Sequence, residues 1–369
     1  MLIAAWTAPR SNIRSVGAFL LLSLGCLEAW LIYCLFPGEL AQGLVGGLLP
    51  GTSLVQFHYL LFNPAADVTV PSSLTKLPWA VWLQVFVQVM RDSRGVPSPS
   101  SRTGSRRATF HRVAFFQQRV AQYVRNALIP EMLWFVGRCL FIAGTPDWDH
   151  ILGPGTEYLV LGLTFRQLQA RILANAGVWI TVYCTLDTFD CLTLAAAVVL
   201  GDNHPEDWPP MFGSVHEAYS LRGFWSKFWH RMIRRPLIDF STTLLRPIFI
   251  TRAKPPDITF VCCVFFLSGL VHVPMDIAIW ARTGVPSFPL FFFFCKNLIA
   301  ILVETVIVHS YRSYRRRRGW SAEWIGSVER ALGYTWVFLF LSYASPPTYY
   351  LVLRALGSEN HPSLYWTTP

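Results

Sequence analysis

Long uninterrupted apolar blocks constrain this chain more than anything else in it. Runs at 16–36, 172–200, 258–280, 288–309 and 331–353 each supply the ~20 apolar residues that a helix needs to cross a bilayer core. Weaker blocks at 42–62, 77–90 and 129–144 are short or interrupted by Gly and Pro, which predicts half-buried or re-entrant segments beside true spans. A soluble core could not hide this much. Of 369 residues 53% are hydrophobic and only 14% charged, and the mean hydropathy is +0.38, whereas soluble domains run at about 25% charged. The predicted fold is an all-α, polytopic transmembrane helical bundle of about seven to nine spans, some broken or re-entrant, forming a single domain over 1–369. Arg10 and Arg14 precede the first run, which is longer than the ~7–15 residue core of a cleaved leader and so predicts a signal anchor.

Charge sets the expected orientation. Lys+Arg 31 against Asp+Glu 21 gives a net charge of +10, and the basic residues cluster at 91–125, 222–254 and 312–318. By the positive-inside rule all three clusters face the cytosol, as does the N-terminus. The first contains RDSRGVPSPSSRTGSRR, turn-forming and without apolar period, and 91–125 is predicted to be a mobile basic Ser/Pro-rich cytosolic loop. These loops account for the positive charge, so a nucleic-acid partner gains no separate support. The eight cysteines all lie in apolar blocks without a C-x-x-C pair, and no Asn-x-Ser/Thr site occurs. No internal repeat is visible, which argues against an inverted-repeat transporter.

The stretch 201–257 is hydrophilic yet rich in Trp and Phe. Within it LRGFWSKFWHRMIRR places Trp225, Phe228, Trp229 and Met232 at i, i+3, i+4 and i+7, which predicts an interfacial helix over 221–235 limited by Pro236. Lys227, Arg231, Arg234 and Arg235 would form its basic face, and His230 falls on the boundary between the two stripes near the membrane surface.

His272 falls near the middle of the run 258–280, where an ionisable side chain is costly without a partner or a water-filled cavity. Ser268 and Gly269 before it would let another helix approach, and Pro274 and Asp276 follow, making a polar notch. A neutral imidazole donating to a backbone carbonyl is the purely structural alternative. Glu28, Asp187, Asp190 and Glu304 also lie within apolar blocks. Asp187 and Asp190 share a helix face, but no third ligand follows at metal spacing, so helix-to-helix hydrogen bonding is expected and no metal site.

Taken together, WPPMFGSVHEAYSLRGFWSKFWHRMIRRP at 208–236 and FFLSGLVH at 265–272 resemble the wax-synthase branch of the membrane-bound O-acyltransferase superfamily. The shared pattern is an aromatic Trp-Pro-Pro-Leu-Phe-Gly turn, then Ser-Leu-Arg-x-Phe-Trp with Trp-His after it, then Ser-Gly-x-x-His in the next span. Met211 replaces the Leu, and Arg94-Gly95-Val96 resembles an upstream element of the branch but runs on into Pro97 and a Ser/Arg-rich tract. The resemblance implies helices around a buried tunnel, with His272 as catalytic histidine and His230 at the second catalytic position. Trp225, Trp229, Phe224 and Ser268 would line the substrate site, and Arg222, Lys227, Arg231, Arg234 and Arg235 would meet the phosphates of coenzyme A. Many fungal members of the branch acetylate terpenoids and related secondary metabolites. The implied reaction therefore moves an acyl group, acetyl above all, from acetyl-CoA as co-substrate to a hydroxyl of a lipophilic small molecule, with no permanently bound cofactor. The implied partners are the lipid bilayer, acyl-CoA and that acceptor, and the implied location is the endoplasmic reticulum membrane. A long-chain alcohol acyltransferase is the alternative within the branch. Outside it stand a membrane transporter, whose path His272 and the buried carboxylates would line, and a terpene cyclase using Asp187 and Glu304 as acids.

Overall fold

The structure, a computed structural model, describes residues 87, 90, 91, 111–141, 151, 155–158, 162–200, 208–249, 257–283, 286–319 and 323–351. Their elements in chain order are α1 (Arg112–Phe141), α2 (Phe165–Val199), a short α3 (Leu221–Gly223) that runs into a π-helical turn (Phe224–Phe228), α4 (Arg234–Leu245), α5 (Asp257–Thr283), α6 (Pro289–Arg318) and α7 (Glu323–Ala344). No strand occurs among the described residues. Phe165–Val199, Asp257–Ile277 and Pro289–Arg318 are long and apolar enough to cross a membrane, and they coincide with the runs at 172–200, 258–280 and 288–309. On α6 the exposed side chains of Ile299, Val303, Val306 and Ile307 form an apolar outer face suited to lipid rather than water. The runs at 16–36 and 42–62, and 77–90 apart from Val87 and Met90, lie outside the described residues.

α1 and α2 pack antiparallel. The pairing is fixed by Asp187, whose Oδ2 accepts from Gln122 Nε2 (2.7 Å), Arg125 Nη2 (2.8 Å) and Asn126 Nδ2 (2.8 Å), and further along by Trp134 Nε1 donating to Thr181 Oγ1. Asp187 thus makes the helix-to-helix contact expected of it, and its buried charge is compensated in place. A reciprocal capping box at Thr164 and Gln167 starts α2. Two expectations need correction here. The basic loop does not extend to 125, because residues 112–125 are already helix. Beyond Arg112 the sequence VAFFQQRVAQYVRNALI contains no Gly or Pro, and its Gln122, Arg125 and Asn126 find a partner on α2 that a loop reading could not foresee. Residues 129–141 of the block at 129–144 are likewise the C-terminal part of a helix that begins at Arg112, with Pro130 inside it.

α5 and α6 form a tight hairpin. Asp276, fully buried on α5, accepts from the amides of Leu290 (2.9 Å) and Phe291 (3.0 Å). Those are first-turn amides of α6, which has no cap from its own N-cap residue Phe288 and starts with Pro289. Gly269 lies against Phe291, where an added Cβ would come within 2.9 Å of the ring. Gly269 and Asp276 together therefore set how α6 lies along the helix that carries His272. Over its described residues, 331–351, the run at 331–353 is not one continuous helix. α7 ends at Ala344, Ser345 is a bend, and the helix resumes at Pro346-Pro347, because neither proline has an amide to continue the ladder.

Candidate active site

The aromatic side of the segment from Trp208 to Leu245 packs inward against the helices. Met211, Phe212, Leu221, Phe224, Trp229 and Met232 are buried in one cluster with Leu267 and Val271 of α5, Phe293 and Phe294 of α6, and Val337 and Phe340 of α7. The predicted helix over 221–235 is also absent as such. Three residues of α-helix pass into the π turn, Trp229 N closes it on Phe224 O at 2.7 Å, and Trp229 is extended at φ −63°, ψ 159°. Pro236 does not limit that helix. It sits in the first turn of α4, where a missing amide costs nothing. The heptad-like spacing of Trp225, Phe228, Trp229 and Met232 therefore reports burial in a common core, not one helix face.

Partners distant in sequence hold this broken shape. Glu304 of α6 accepts from Leu221 N (2.7 Å), Arg222 N (3.2 Å) and Trp336 Nε1 (2.8 Å), so its carboxylate caps α3 from another helix. Ser220 Oγ takes the next amide, that of Gly223, at 2.9 Å. On the other side, Gly213 N donates to Phe228 O (2.8 Å) and Arg231 N to Met211 O (2.9 Å). A Cβ on Gly213 would strike the Lys227 carbonyl, so the Trp-Pro-Pro-Met-Phe-Gly turn can close on the π turn only with glycine there.

This closure leaves His230 beside the Trp229 ring, at 5.7 Å between centroids. Trp229 stacks on Phe224 (centroids 5.4 Å, 18°) and meets Trp179 of α2 edge-on at 4.8 Å. Trp225 donates Nε1 to Asn297 Oδ1 at 2.8 Å, and Asn297, fully buried, returns its Nδ2 to Phe293 O. Trp179 is pinned in turn to Ser345. Neither Trp179 nor Asn297 was singled out from the sequence. The one available signal was an amide within the aromatic run FFFFCKN.

His272 and His230 come together here. His272 Nδ1 lies 2.7 Å from Ser268 O. A carbonyl only accepts, so Nδ1 carries the hydrogen and Nε2 is left with its lone pair. The ring packs 4.5 Å from that of Phe294. His230 Nδ1 is shut off from solvent and has no hydrogen-bond partner. Burial, and then the nearby His272, push the His230 pKa down to about 3, so this imidazole is neutral at physiological pH. Ser268 bonds its own hydroxyl back to Val264 O and orients His272 through its carbonyl.

The expected cations are scattered. Lys227 is exposed and pairs with Glu217 at 2.6 Å, a bond that raises its pKa. Arg222 and Arg234 are exposed, and Arg231 and Arg235 are half-buried. Arg231 has an Nε without a partner.

Comparison with known proteins bears on this arrangement. The model of the membrane bound O-acyl transferase family matches residues 208–295, the stretch that carries both histidines. The chain is 31% identical over 213 residues to the acetyltransferase nanB of Aspergillus nanangensis, covering 57% of this chain and 50% of that protein. It is 29% identical over 241 residues to the acetyltransferase TRI7 of Fusarium sporotrichioides (59% and 54%), and 32% over 214 residues to the acetyltransferase ataH of Aspergillus terreus (54% and 67%). The matched region thus spans about half the length of the first two relatives and two thirds of the third.

Proposed function

Because the chain belongs to the membrane-bound O-acyl transferase family, we propose that it transfers an acetyl group from acetyl-CoA to a hydroxyl of a lipophilic acceptor of the terpenoid kind. One observation carries the reading: an imidazole with its Nδ1 engaged and the Nε2 lone pair left over, His272, lies close enough to act on the charge of a neutral imidazole with an unfilled buried nitrogen, His230. An alcohol is a weak nucleophile and needs a base as it attacks a thioester. In the proposed step His272 Nε2 takes the hydroxyl proton while the alcohol oxygen bonds to the thioester carbon, and the carbonyl becomes an oxyanion. The C–S bond then breaks, the oxyanion collapses to the ester, and the imidazolium returns the proton to the departing thiolate. A thiol of pKa about 8.5 leaves readily, so no stronger acid is required.

His230 holds the developing oxyanion or the acceptor hydroxyl, a kind of contact worth roughly 3–4 kcal/mol when preorganised. The surrounding indoles and phenyl rings keep water from the thioester. The exposed Arg222 and Arg234, with Arg231 and Arg235, raise the local concentration of the polyanionic donor at the cytosolic face. Glu304 and Asp187, the acids a cyclase would need, are occupied by three donors each, which weighs against that rival.

Free-thiol release by membranes containing the protein, with acetyl-CoA and a panel of hydroxylated terpenoids, tests the reading. Release is expected only when both substrates are present, with an acetylated product of matching amount. Uptake of a terpenoid into sealed vesicles without acyl-CoA, and no thiol release with either short or long donors, would replace it with a transporter.

A further inference from the structure

A cleft of about 940 Å³ opens between the N-terminal half of α1, the C-terminal half of α2 and the turn Trp208–Phe212. Its size is that of a small-molecule site, and its walls are largely apolar and aromatic, with Phe115, Tyr183, Trp208 and Phe212 among them. Arg119 also lines it. The Arg119 guanidinium lies over the Phe115 ring at 5.3 Å, and its Nε is shut off from solvent with no partner. Two carboxylates, Asp187 and Asp190, line the same cleft. Asp187 is taken by Gln122, Arg125 and Asn126, and Asp190 is buried with an interaction of its own. Arg125 adds a second cation at the rim, paired to Asp187 but with 54% of its side chain exposed.

A guanidinium with a buried, unpartnered Nε at the wall of this cleft suits an anion, and aromatic walls suit a flat ring or a hydrocarbon. The place of the cleft narrows this further. It lies where α2 leads toward the motif segment, and one of its walls is Met211, whose carbonyl accepts from the amide of Arg231, the residue after His230. The Met211 wall of the cleft is therefore bonded directly to the stretch of chain that carries His230. An uncharged acceptor would leave Arg119 unmatched, whereas the acyl donor carries phosphates and a purine at one end and the thioester at the other.

We propose that this cleft binds the nucleotide end of the acyl donor, with Arg119 on its phosphates and the aromatic walls against its base, while the thioester arm extends past the Met211–Phe212 layer. The assignment rests on the acyl-CoA reading above but concerns other residues than the basic set at 222–235.

The test is equilibrium binding of labelled coenzyme A to the detergent-purified full chain, set beside its acetyl-transfer kinetics. Three variants are compared with wild type: Arg119→Gln, Ala121→Trp to fill the cleft from an exposed position, and Arg166→Gln to remove an exposed cation at the far end of α2. Loss of a charge-assisted contact predicts roughly 10- to 100-fold weaker binding in Arg119→Gln. A comparable loss is expected in Ala121→Trp and none in Arg166→Gln. If Arg119→Gln does not fold, Ala121→Trp decides. Coenzyme A bound equally well by both cleft variants, with unchanged KM for acetyl-CoA, overturns the cleft and leaves the acyltransferase standing. A wild type that binds coenzyme A through Arg119 but transfers no acetyl group does the reverse. A wild type that does not bind it overturns both.

Discussion

The two histidines proposed to act together are positioned by opposite routes. His272 sits in a regular helix, and its orientation is local: Nδ1 bonds to a carbonyl one turn earlier on the same helix. His230 sits at the end of a broken π turn whose shape depends on Glu304 of α6, Trp336 of α7, Ser220 and the Trp208–Gly213 turn. A helix can present one side chain at a fixed angle from its own hydrogen bonds. A short irregular segment cannot, and here neighbouring helices supply the amide partners that it lacks. Changes far from the chemistry should therefore disturb the His230 half and spare the His272 half.

The largest remote effect is expected for Glu304→Ala. It strips the buried Leu221 amide, the part-buried Arg222 amide and an indole N–H of their acceptor, the buried one costing about 1–3 kcal/mol and the others less, so stability should fall by roughly 2–4 kcal/mol. Turnover in membranes should drop at least several-fold, with Glu304→Gln between the variant and wild type. A thermal midpoint in detergent unchanged by Glu304→Ala would break the comparison, because the π turn would then hold itself.

A second effect separates the halves by pH. The folded-state pKa of His230, about 3, lies below the unfolded value of ~6.5, so between these pH values the unfolded chain binds the extra proton. Stability owed to a neutral His230 is therefore complete above pH ~6.5 and is lost as the pH falls toward 3. Unfolding midpoints measured from pH 7.5 to 5 should decline in wild type and decline less in His230→Gln. Parallel curves for the two proteins would remove His230 as the titrating group.

The smallest effect is expected at Ser268. His272 uses the carbonyl of this residue, and its hydroxyl is back-bonded to Val264, so Ser268→Ala should change kcat and KM by no more than about 2-fold, the ±0.5 kcal/mol of a tolerated substitution. A much larger rise in acceptor KM would mean that the hydroxyl contacts substrate.

The difference between the halves also governs what the sequence discloses. Apolar blocks announced α2, α5 and α6, because a bilayer imposes a length that can be counted in residues. His272 stood out as an ionisable group within such a block, and Gly269 as a point of close approach. The π turn did not, since a spacing of 3, 4 and 7 looks the same whether it marks one helix face or a set of side chains gathered into a core. The role of Glu304 was equally hidden. A lone carboxylate in an apolar helix suggests catalysis or transport, and only the tertiary arrangement reveals the amides of Leu221 and Arg222 before it. α1 was missed over 112–125 because the polar side chains that make it look like a loop are the ones that hold Asp187.

The two imidazoles are proposed to form one catalytic unit with unequal parts, and the decisive measurement is kcat/KM for acetyl transfer in His272→Ala, His230→Ala and the double variant. Loss of the base should cost roughly 10²–10⁴-fold, while His230→Ala retains measurable activity. The double variant should fall little below His272→Ala alone, because groups that act on one transition state are not additive. Losses that multiply, or a His272→Ala protein that turns over at the wild-type rate, would contradict the account.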